Sequence, residues 1–94
     1  MSTPKARDLA AQESNLHDAL KLKMDQMFAP GHYGRELFVT LGEVPTPCGP
    51  AIHATVTARV YPTPGTEARH QLYWRLVQHL NALPTIHSHS VVVL

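Results

Sequence analysis

Ten consecutive residues near the middle of the chain constrain the fold more than any other feature. Ile52, Ala54, Val56, Ala58 and Val60 alternate strictly with His53, Thr55, Thr57, Arg59 and Tyr61. Successive side chains of a β-strand leave on opposite faces, so this segment reads as a strand with one face on a core and the other open. A chain that must bury one face of a sheet needs further elements to lay over it, and the flanking segments supply them.

Helical periodicity precedes and follows that strand. Thr3 is a sound N-cap, and Pro4 suits the first position of a long helix running to Phe28, with Ala29-Pro30-Gly31 as its stop. Leu9, Leu16, Leu20, Met24 and Met27 share one side of it, but Glu13 interrupts the stripe. Residues 1–12 are therefore expected to extend past the core as a projecting or frayed end. A first strand spans Arg35 to Glu43, with Leu37, Val39 and Leu41 on one face and Phe38 and Thr40 on the other. The segment Val44–Pro50 holds three prolines and reads as a loop outside any ladder. After Pro62-Thr63-Pro64-Gly65, Thr66 is the expected cap of a second helix over Glu67–Leu83, with Leu72, Tyr73, Leu76, Val77, Leu80 and Leu83 inward. Pro84 ends it, and a last strand runs from Thr85 to Leu94.

The order α-β-β-α-β in 94 residues predicts a single α+β domain, 1–94. Its expected form is a two-layer sandwich: a three-stranded, mainly antiparallel sheet with both helices on one face. The first two strands form a hairpin, and the second helix crosses back to deliver the third.

Charge and cysteine content narrow the function classes. The net charge is +1 and charged residues make up 16% of the chain, which gives no electrostatic footprint for duplex nucleic acid or an anionic membrane. Seven histidines set against eight lysines and arginines would carry the net charge toward about +8 near pH 5. The one cysteine, Cys48, excludes an intrachain disulfide, and Met1–Asp8 lacks the apolar core of a signal peptide. No apolar run approaches the ~20 residues of a membrane span. These features together predict a cytoplasmic protein without membrane attachment.

Three features are candidate sites. The open sheet face is expected to display Phe38, His53, Arg59, Tyr61, His87, His89, Val91 and Val93, too many apolar groups for a surface facing only water. His87-Ser88-His89 places two imidazoles on one side of a strand. With His53 they form a candidate site for zinc or another transition metal, although the bare His-x-His spacing is no stronger a signal than two surface histidines. On the second helix, Trp74 lies away from the buried stripe beside His70, as an interface anchor would unless the first helix covers it.

Catalytic patterns are weak by comparison. Nothing places Cys48 where its thiol would be activated. Gly31–Arg35 is a turn without the strand and helix of a phosphate loop. Glu36 and Glu43 project to opposite faces. The reading is a non-enzymatic protein–protein interaction module that needs no cofactor, forms a homodimer, and acts as a small accessory, inhibitor or structural subunit. Partner contact is assigned to Phe38, Arg59, Tyr61, His70, Trp74, Val91 and Val93. The alternatives are a single-stranded nucleic-acid binder stacking bases on the same face and a metal-binding protein using His87 and His89.

Overall fold

The first helix, α1, spans Pro4–Met27, a stretch of Ala, Leu, Lys, Gln and Met with no glycine to weaken it. The computed structural model describes residues 4–94 and, from Leu9 onward, their side chains; the Thr3 cap lies outside the described residues. Leu16, Leu20, Met24 and Phe28 recur every four residues and are buried. The helix ends where Phe28 N–H bonds the Met24 carbonyl and the His32 and Tyr33 amides both turn onto Ala29.

β1 (Gly34–Thr46) and β2 (Gly49–Tyr61) form an antiparallel hairpin closed by Pro47 and Cys48. The segment expected to be a loop, Val44–Pro50, is thus the distal end of the ladder. Alternate residues of such a ladder aim their N–H away from the partner strand. Pro45 has the parity of Leu37 and Leu41, which bond outward to α1, and Pro50 the parity of Ile52, which bonds toward β3. Both prolines lack an N–H that β1–β2 pairing never uses. Gly49 takes φ 115° at the turn, where a side chain would be strained.

The second helix, α2, spans Thr66–Asn81. Its N-cap is Gly65 rather than Thr66, and no side chain caps the first turn. β3 covers only Ser88–Val93, because Thr85, Ile86 and His87 descend from the helix before the strand begins. It pairs with β2 in parallel, which gives a mixed, open sheet in the order β1-β2-β3 with the longer pairing antiparallel. The architecture is α+β with the element order α-β-β-α-β.

Both helices lie on one face. Leu16, Leu20 and Met24 of α1, Phe28 just past its end, and Leu72, Leu76 and Leu80 of α2 meet Ala54, Val56, Ala58 and Val60 of β2 in one core. Alanines at 54 and 58 let the helix layer settle close to the central strand. The shortest extent, 18 Å, accommodates a helix layer and a sheet but no third layer.

Candidate functional site

Among the described residues nothing covers the second face of the sheet. Register fixes its occupants, since cross-strand partners share a face. Phe38 pairs with Thr57, Thr40 with Thr55, Glu36 with Arg59 and Gly34 with Tyr61. From β3, Ser88 joins His53, Ser90 joins Thr55, and Val92 joins Thr57. Phe38 is 62% exposed and Val92 48%, values that belong to apolar groups standing in solvent rather than beneath a loop. The Tyr61 ring lies across Gly34, where a Cβ would fall 2.2 Å from a ring carbon, so a glycine at 34 is what lets the aromatic ring lie flat on the strand.

This arrangement corrects the expected phase of β3. Val91 and Val93 pair with Val56 and Ala58 and pack against the core, while Val92 faces outward. The apolar run Val91–Leu94 carries no alternation, so its phase is set by β2 and not by its own pattern. Ser88 and Ser90 carried the usable signal: they are the polar positions of the open face.

The three histidines do not converge. His53 lies on the open face, with Nδ1 2.7 Å from Ser88 Oγ and Nε2 3.2 Å from Ser90 Oγ. His89 lies on the opposite face and meets Asn81 Oδ1 of α2 at 3.0 Å. His87 is turned back onto β2, where its Nδ1 accepts the Ile52 N–H at 2.9 Å while its own amide donates to the Ile52 carbonyl. The imidazole thereby stands in for a backbone acceptor at the start of the parallel ladder. Among the described residues no group of three or more His, Cys, Asp or Glu side chains is placed to hold one metal ion.

Trp74 is 49% exposed, so α1 does not cover it. Its indole N–H donates to His70 Nε2 at 2.8 Å, and its ring meets Tyr73 edge-on at a centroid distance of 5.6 Å. His70, Tyr73 and Trp74 thus form a small aromatic cluster on the flank of α2 away from α1.

The two edges of the sheet differ sharply. α1 runs along the free side of β1, and Glu13 accepts the Leu41 N–H at 3.0 Å. His17 Nε2 lies 3.1 Å from the Leu37 carbonyl, and Arg35 is tied to Asp25 and, at 2.6 Å, to the Phe28 carbonyl. Glu13, which interrupts the apolar stripe, is there to cap this edge. Among the described residues β3 has no counterpart to that cover.

Among the described residues no helix is long and apolar enough to cross a membrane. Comparison with known proteins returns no matching family, no curated relative and no solved structure. What the fold and surface define is a class: a small two-layer α+β domain with one face of its mixed sheet uncovered.

Proposed function

We propose that the chain is a non-enzymatic protein–protein interaction module that pairs with a second copy of itself through the open face of its sheet. The observation that carries this reading is the uncovered apolar pair Phe38 and Val92, on either side of Thr57, with Tyr61 at the near end of the same face, among threonines and serines and the single Glu36–Arg59 pair. Two such faces, packed about 10 Å apart, form a sandwich of the kind sheets adopt elsewhere.

A second copy suits the face on charge. Its fixed charges are Glu36 and Arg59, neighbours across the β1–β2 ladder. A two-fold axis lying in the interface, parallel to the strands and between β1 and β2, would set Glu36 of one copy over Arg59 of the other, a self-pairing without like-charge penalty. Thirteen-residue strands give a face roughly 40 Å long, but β3 spans only half of it, so the footprint is about 500 Å² per copy. That is below the ~800 Å² of a standard stable interface, and the expected dimer is micromolar.

Single-stranded nucleic acid is the weaker reading of the same surface, because among the described residues Arg59 is its one fixed cation and stands beside Glu36. Amide shifts recorded at rising protein concentration test the proposal. Movement at Phe38, Thr57 and Val92, unaffected by salt, is expected. Shifts that appear only on adding oligothymidine and vanish with salt would move the assignment to nucleic acid.

A further inference from the structure

The uncovered edge of β3, together with the cleft between its end and α2, forms a second interaction surface. Leu94 N–H bonds the Ala58 carbonyl within a ladder that pairs Ala58 with Val93, so Ser90, Val92 and Leu94 aim their backbone groups at β2. His89, Val91 and Val93 consequently aim theirs outward, and among the described residues none of these groups has a partner. The neighbouring cleft is lined by Thr66, Arg69, His70, Tyr73 and Val93. Among the described residues its lining holds a cation and no acidic side chain. Arg69 donates from Nη2 to Thr66 Oγ1 at 3.4 Å, the long limit of a hydrogen bond, and among the described residues its buried Nε has no acceptor. Of the five guanidinium donors the Nε–H is the one held away from water, and leaving it idle is costly unless something else uses it.

We infer that this edge receives an extended segment of a partner protein, which adds as a fourth strand beside β3 and places an acidic side chain in the Arg69 cleft. Main-chain bonds to His89, Val91 and Val93 hold the segment, and its alternate side chains turn toward α2. A carboxylate entering the cleft meets Arg69 in the two-pronged geometry that planar guanidinium favours, once a rotation of the outer side-chain torsions brings Nε and a terminal nitrogen round together. The His70–Tyr73–Trp74 cluster walls the same flank and supplies flat apolar surface to the incoming chain. A second copy of β3 does not supply the acidic side chain this cleft calls for, since Ser88–Leu94 contains no Asp or Glu.

The test uses the full-length chain bearing Val92→Lys, which removes open-face pairing while leaving the β3 edge intact, so its outcome is independent of the dimer proposal. A displayed library of random twelve-residue peptides is selected against this protein, and the consensus peptide is then titrated into labelled protein. The expected consensus alternates β-branched residues around a fixed Glu or Asp. The expected amide responses are shifts and slowed hydrogen exchange at His89, Val91 and Val93, and Arg69→Gln should weaken binding at least tenfold with an unchanged melting temperature. Selection of no peptide, a consensus without an acid, or shifts confined to the Phe38 and Thr57 region would each overturn the inference. So would amides of His89, Val91 and Val93 already protected in the free protein, which would mean that another copy occupies the edge.

Discussion

β2 offers two faces made from the same ten residues, and they behave as surfaces of different proteins. Ala54, Val56, Ala58 and Val60 are 0–1% exposed, locked beneath two helices. One residue away along the chain, Thr55, Arg59 and Tyr61 stand in the open, with Phe38 and Val92 beside them. The buried face explains why the chain folds. The exposed one explains little about folding and is free to be read for binding, because a fold stabilised entirely from one side tolerates unusual residues on the other.

Breaking the buried face should produce the largest effect. Leu76→Ala removes a fully buried side chain from the centre of the helix layer and should cost about 2–5 kcal/mol in urea unfolding, whereas Thr57→Ala on the open face should stay within about 0.5 kcal/mol. Comparable losses for the two would mean that the open face is part of the core.

Adjacent valines sharpen the same contrast. Val91→Lys drives a charge toward the helix layer and should destabilise by about 2 kcal/mol, while Val92→Lys, one residue along, should leave the melting temperature nearly unchanged. The reverse ranking would restore the opposite phase of β3.

The edge cap comes next in size. Glu13→Ala frees the Leu41 N–H and should cost about 1 kcal/mol, with faster hydrogen exchange at that amide. An unaltered exchange rate would show that the β1 edge does not depend on α1.

Smallest is Trp74→Ala, which forfeits one hydrogen bond and half-exposed surface and should cost less than about 1 kcal/mol of stability. As the only tryptophan, it should emit at long wavelength and be readily quenched. A blue-shifted, protected emission in dilute protein would place it under cover.

Much of this contrast is legible in the sequence alone. The alternation over Ile52–Tyr61 assigns both faces of β2 correctly, and the four-residue recurrence of Leu16, Leu20 and Met24 identifies the face of α1 that packs. The failures share a physical cause: they occur where a neighbour, not the local pattern, decides. Val91–Val93 have no alternation of their own and take their phase from Val56 and Ala58. Pro45 and Pro50 looked like strand breakers, yet their missing donors fall on the unpaired sides of the hairpin. Glu13 looked like a fault in a stripe until a strand edge lay across from it. His87 and His89 are expected side by side on the open face, but one ring completes the β2–β3 ladder and the other turns to Asn81 on the helix side. No local pattern in the sequence singles out Arg69, because an idle buried donor is visible only once its surroundings are placed.

The central claim is that the open face pairs with a second copy, and molar mass measured by light scattering from one to several hundred micromolar tests it most directly. The wild-type chain should rise from monomer to dimer across that range, with little dependence on salt. Phe38→Lys and Val92→Lys should each hold the chain at monomer mass while preserving its far-ultraviolet circular dichroism. A wild-type chain that stays monomeric to the highest concentration, or a dimer indifferent to both substitutions, would contradict the account.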